Sequence, residues 1–167
     1  LTTCEFFRNR FASFGADPAR LTFQGFRKTR QDHLRDMGDA DIALDPFPCS
    51  GGTTSCEALW MGLPLVTMDT DSWMGRQGVS YLAKLNLLDL VCKTPESYVD
   101  TARRLARDPE RLQRLRETLR PAVEREMFNY DQHVRELESA YETMWRRHKD
   151  GAAHTPFDVR DDQVFED

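Results

Sequence analysis

Between Asp45 and Pro64 the chain reads Asp-Pro-Phe-Pro-Cys-Ser-Gly-Gly-Thr-Thr-Ser-Cys-Glu-Ala-Leu-Trp-Met-Gly-Leu-Pro, and here the residue types could do chemistry. Gly51 and Gly52 lack a Cβ, so the main chain can turn sharply and come close to an anion. Thr53 and Thr54 follow, with hydroxyls and main-chain N–H groups at what reads as the start of a helix. Unpaired N–H donors and the helix dipole together favour a phosphate at such a place. Glu57, three residues past Thr54, is poorly placed for phosphate but well placed to accept hydrogen bonds from sugar hydroxyls. The same Thr54–Glu57 spacing also fits a capping box that merely closes the helix start. The sequence leaves both readings open.

His33 is the second candidate. It lies among Arg27, Lys28, Arg30 and Arg35, where an imidazole could stack on a base while the cations neutralise a diphosphate. A solvent-facing histidine on a mixed-charge helix is the plainer account. Arg76 is either a third anion contact or a surface residue. No GxxxxGK[ST] and no GxGxxG is present, so this is neither a P-loop nor the dinucleotide fingerprint. The loop has no lysine and no nearby acidic cluster for Mg²⁺, which argues against ATP hydrolysis, and no Ser–His–Asp arrangement is evident.

The elements that must position these residues alternate. Thr2 and Thr3 can cap a helix over 4–14, and Leu21–Phe26 reads as a short strand. A helix over 29–37 precedes the strand Asp41–Asp45, which Pro46 and Pro48 end. The glycine-rich loop leads into a helix over 54–61, then a buried-type strand over 63–68, a helix over about 75–86 and a last strand at Leu88–Val91. Strand and helix in alternation indicate an α/β fold: a Rossmann-like parallel sheet with helices on both faces. In open sheets of this kind ligands bind at the carboxyl ends of the strands, which is where the loop falls. From Pro95 onward the chain is helical. Pro95 and Pro109 each open a helix, and Leu112, Leu115, Leu119 and Val123 form one apolar stripe. A third helix over about 130–148 repeats the pattern with Val134, Leu137, Tyr141, Met144 and Trp145.

Composition narrows the classes. The net charge of −5 disfavours nucleic acid as a partner, because a basic footprint is expected there. Eight arginines between 103 and 125 are interspersed with Asp108, Glu110, Glu117 and Glu124, which reads as a solvated helix face. No stretch approaches the ~20 apolar residues of a membrane span. Cys4, Cys49, Cys56 and Cys92 form no CxxC and have no histidines at zinc spacing, so neither a metal nor another cofactor is expected. Scattered thiols of this kind suit a reduced, cytoplasmic protein. Residues 149–167 end acidic and without periodicity, and they read as a disordered tail.

The run Asp41-Ile-Ala-Leu-Asp-x-x-Pro-x-x-Gly-Gly-Thr-Thr-x-x-Glu-Ala-Leu-Trp-Met-Gly-Leu-Pro-Leu-Val-Thr67 is similar to the core motif of the O-GlcNAc transferase family, glycosyltransferase family 41. Its bacterial and plant-type members fit best. Phe128-Asn129 with Leu137-Glu138-x-x-Tyr141-x-x-Met144-Trp145 resembles the family's closing helix. The resemblance covers about residues 4–147.

It implies the carboxy-terminal lobe of a GT-B enzyme, spanning 1–148, incomplete at its amino end and helical over 95–148. It further implies transfer of a sugar from a UDP-sugar donor, typically UDP-GlcNAc, to Ser or Thr of an acceptor protein. By position, His33 matches the histidine that packs on uracil, and Arg30 a basic residue near the nucleotide. Thr53 and Thr54 match the diphosphate-contacting threonines, Glu57 the acidic residue that binds ribose, and Arg76 an arginine of the following loop. Gly52 stands where animal members carry histidine, and Asp36 where a basic residue is usual. A relative using GDP-fucose indicates that base and sugar can change on this scaffold. No catalytic residue is expected within this chain: the amino-terminal catalytic lobe and the tetratricopeptide repeats would lie upstream. These 167 residues alone are expected to bind nucleotide weakly and to transfer nothing. Two rivals remain, an epimerase of the same architecture and a non-catalytic module working through its helices.

Overall fold

The computed structural model describes residues 2–159. Helix α1 (Thr3–Ser13) starts with a complete capping box, in which Thr2 Oγ1 accepts from Glu5 N–H and Glu5 from Thr2 N–H. Then follow α2 (Arg30–Gly38), β1 (Ala43–Leu44), α3 (Thr53–Trp60), β2 (Leu65–Met68), α4 (Gln77–Lys84), β3 (Val91–Cys92), α5 (Pro95–Ala106), α6 (Pro109–Met127) and α7 (Tyr130–Lys149). The three strands pair in the order β1-β2-β3, all parallel, with Ala43 opposite Leu65 and Thr67 opposite Val91. Both neighbours lie in ladder contact with β2, and all four of its residues are buried, as a central parallel strand requires. The expected α/β class is the observed one.

The core forms where the apolar stripes of the helices meet β2. Leu59 of α3, Leu82 of α4, and Leu119 and Val123 of α6 pack with Leu65, Val66 and Leu90. Three of the four stripe residues predicted on α6 are buried, Leu115, Leu119 and Val123. The prolines act as read. Pro95 lies in the first turn of α5 behind the Thr94 cap, and Pro109 in that of α6 behind Asp108.

Three elements differ from expectation. Residues 21–26 form no strand: their main chain makes no hydrogen bond to β1, and a lone extended segment without a ladder has nothing to hold it. Leu88–Leu90 is a 3-10 turn, so the last strand begins only at Val91. The apolar stripe of α7 contributes no buried residue, and its Tyr141, Met144 and Trp145 flank a recess shared with residues 152–159. After α7, residues 152–159 carry no helix or strand, and Arg147 donates to the Thr155 carbonyl at 3.1 Å. Asp161, Asp162, Glu166 and Asp167, the acidic part of the expected tail, lie outside the described residues. Within those residues no helix is long and apolar enough to cross a membrane.

Tyr98 of α5 ties the helical part to the sheet by donating its hydroxyl to the Asp45 carbonyl at 2.8 Å. Burial first, then the charges of Asp45 and Cys92, push this phenol up to about 12. Between the unfolded value of roughly 10 and that pKa, the folded chain keeps a proton the unfolded chain has lost. Stability therefore falls as pH rises through this window. Tyr98→Phe is expected to remove that alkaline dependence and to cost about 0.5–1.5 kcal/mol at neutral pH, the net value of one hydrogen bond. Urea unfolding at neutral pH and at about pH 11 measures both effects.

Candidate functional site

The loop between β1 and α3 is organised around one carboxylate. Asp45 closes the strand segment, is 2% exposed and accepts four hydrogen bonds. Oδ1 takes Gly51 N–H at 2.9 Å and Ser55 Oγ at 2.7 Å, and Oδ2 takes Ser50 Oγ at 2.7 Å and Thr67 Oγ1 at 2.6 Å. Two donors on each oxygen fill the accepting capacity of an ionised carboxylate, so it needs no cation beside it. Ser50 Oγ in turn accepts from Gly78 N–H at 3.2 Å, which extends the network to α4.

This arrangement turns the Gly51 N–H inward. The next residue, Gly52, sits at φ +55° and ψ −115°, a conformation that L side chains rarely adopt, and it starts α3 without any side-chain cap. A Cβ on Gly52 would also stand 2.8 Å from Gln77 Oε1. Past this turn, the N–H groups of Gly52 and Thr53 have no acceptor among the described residues, as the first turn of a helix leaves them. The Thr54 N–H bonds back to the Gly51 carbonyl at 3.2 Å. Thr53 and Thr54 are both exposed, so their hydroxyls and the two open N–H groups form the mouth of α3.

Glu57 lies one turn in, half-buried, and faces α2. Arg30 Nη2 stands 3.1 Å from its Oε1 and His33 Nε2 stands 3.4 Å from its Oε2. The helix-closing alternative for Glu57 is not what the structure contains: Thr54 gives no capping bond, and the carboxylate points across to another helix. His33 is likewise part of this cross-helix cluster rather than an isolated surface histidine. Beside it, residues of the 24–37 segment line a recess of about 670 Å³, with Phe26, Arg27, Lys28, Arg30 and His33 on its walls. Asp36 is paired with Arg27 at the rim.

Arg76 stands on the other side of the loop, with its Nε 3.1 Å from Asp69 Oδ1 at the end of β2. It is not in the Glu57 cluster, although Gln77, the next residue, reaches Gly52. Burial first and the Glu57 carboxylate second push the Cys56 thiol up, which keeps it protonated and unreactive near neutral pH. Among the described residues no group of His, Cys, Asp or Glu is arranged to hold a metal ion.

The loop thus brings together donors for an anion, a carboxylate one turn away, and an imidazole and a guanidinium on the facing helix. A ligand with a phosphate, vicinal hydroxyls and a flat ring fits such an order of groups. Sequence reasoning found each of these residues but missed Asp45, counted only as a strand end. A buried acidic residue followed by Ser50 and Ser55, with a threonine in the neighbouring buried strand, is the signal that could have found it.

Comparison with known proteins agrees in extent. A family model described as Glycosyl transferase family 41 matches residues 5–137. A rice protein named probable UDP-N-acetylglucosamine–peptide N-acetylglucosaminyltransferase SPINDLY is 39% identical over 155 residues, covering 90% of this chain and 17% of its own length. The barley protein of the same name is 37% identical over 171 residues, 98% of this chain and 18% of its own. The solved structure of a mutant O-GlcNAc transferase from Thermobaculum terrenum superposes with a TM-score of 0.82 at 39% identity, over 90% of this chain and 29% of that one. The chain therefore spans about a sixth of the length of these curated relatives.

Proposed function

The chain belongs to glycosyl transferase family 41, and from that premise we propose that it is the donor-binding part of an enzyme that moves GlcNAc from UDP-GlcNAc to Ser or Thr hydroxyls of proteins. The names of the relatives support the sugar, the nucleotide and the peptide acceptor. One observation from the site carries the reading. The open N–H groups of Gly52 and Thr53 and the hydroxyls of Thr53 and Thr54 lie one helical turn from a carboxylate already in contact with His33 and Arg30.

In this reading the diphosphate rests on the mouth of α3. As the bond from the anomeric carbon to the leaving diphosphate breaks, negative charge grows on that oxygen. Donors fixed by the turn meet the charge without reorganising, which is where such sites gain most of their rate. Glu57 accepts from the ribose hydroxyls, His33 stacks on the base, and Arg30 lies beside the nucleotide. Arg76 lies on the opposite side of the loop, paired through Nε with Asp69 and with the rest of its exposed guanidinium available to the phosphates. The acceptor hydroxyl and any general base come from outside these residues. Its four cysteines are free thiols, in keeping with a cytoplasmic site of action.

Titration of the chain with UDP tests the reading. Glu57→Ala removes a charged acceptor, and such hydrogen bonds contribute about 1.5–3 kcal/mol. The expected result is a UDP Kd weaker by roughly 10- to 100-fold, with folding retained because the residue is half-buried and sits outside the core. An unchanged Kd, or no UDP binding by the unaltered chain at millimolar nucleotide, would remove the donor-site assignment.

A further inference from the structure

We propose that Asp45 is a positioning residue for the donor diphosphate: it holds the Gly51–Thr54 turn in the one orientation that presents donors to the ligand. The proposal rests on the donor-binding reading above and adds to it a buried residue that touches no ligand.

The argument is geometric. Of the four hydrogen bonds to Asp45, three come from Ser50, Gly51 and Ser55, which bracket Gly52–Thr54 on both sides. The fourth comes from Thr67 in the central strand and anchors the carboxylate to the sheet. Its own main chain is fixed as well, by Tyr98 on the carbonyl and by Val66 O on the N–H at 2.9 Å. Asp45 takes the Gly51 N–H, and past the positive-φ turn at Gly52 the next two N–H groups have no acceptor among the described residues. A buried polar cluster replaced as a whole by well-packed apolar groups often loses no stability. Stability alone therefore does not account for a charge placed where every bond it accepts fixes either the turn or its anchor.

The alternative is that Asp45 only knits the loop to the sheet, with no effect on which way the turn faces. Ligand choice separates the two. Uridine would use His33 and Glu57 but not the turn, whereas UDP would use all three. For Asp45→Asn and Thr67→Val we expect UDP affinity to fall by about tenfold, the equivalent of one well-placed hydrogen bond, with uridine affinity unchanged. Thr67→Ser, which keeps the hydroxyl, is expected to retain UDP affinity. Ser55→Ala keeps the question answerable should Asp45→Asn fail to fold. Equal losses for uridine and UDP, or no loss for either, overturn the proposal. Thr54→Val is the control for the reading beneath it. If that variant weakens UDP while the Asp45 and Thr67 variants do not, the donor site stands and the positioning role falls. If none of them affects UDP, both fall.

Discussion

Replacing Thr53 and Thr54 together by valine is expected to slow sugar transfer by roughly 10²–10³ in a complete glycosyltransferase whose donor lobe is this chain. Both side chains are exposed at the mouth of α3, so the loss falls on the ligand and not on the fold. Valine keeps the shape and removes only the hydroxyls. Valine and threonine have about the same helix propensity, so the substitution leaves the helix start unchanged and removes only donors to a forming charge. The open N–H groups of Gly52 and Thr53 remain, so activity is reduced rather than abolished. The kinetic split identifies the role. Donors that act on charge developing in the transition state lower kcat, whereas donors that only hold the ground state raise the donor KM and leave kcat alone. A change confined to KM would mean that the threonines bind the diphosphate without assisting its departure. No change in either parameter would mean that they face solvent in the working enzyme.

What was legible in the sequence follows from the range of the interactions. The α3 mouth was readable because two glycines and two threonines before a helix act within a few residues. The threonine cap of α1 and the two helix-opening prolines were readable for the same reason. The partners of Glu57 were not, since Arg30 and His33 lie on another helix and only the packing of α2 beside α3 joins them. Asp45 was hidden by its surroundings. At the end of an apolar run it looks like a polar strand terminus, and its burial depends on Thr67 and Gly78, 22 and 33 positions along the chain. Residues 21–26 and the stripe of α7 fail in the opposite sense. Each has the local pattern of a packed element, but no strand pairs with the first and the second contributes no buried residue.

Gly78→Ala gives the sharpest contest between local and long-range physics. Gly78 is the second residue of α4, and at an ordinary helical site exchanging glycine for alanine stabilises by up to ~1 kcal/mol. Here the sign is expected to reverse. A Cβ on Gly78 would stand 2.4 Å from Asp45 Oδ2 and 2.5 Å from Thr67 Oγ1, far inside contact distance. Neither is the loose end of a surface chain: Asp45 is 2% exposed and Thr67 1%. Overpacking a fixed site costs about 1–3 kcal/mol, and a displaced hydroxyl or carboxylate leaves buried groups unpaired at about 1–3 kcal/mol more. After the gain in helix propensity, roughly 1–5 kcal/mol of destabilisation remains. Urea unfolding of the two proteins reads it directly as a shift of midpoint at constant slope. A neutral or stabilised Gly78→Ala would mean that α4 can draw back from the loop, and the Asp45 network would then be too yielding to fix the turn at Gly52.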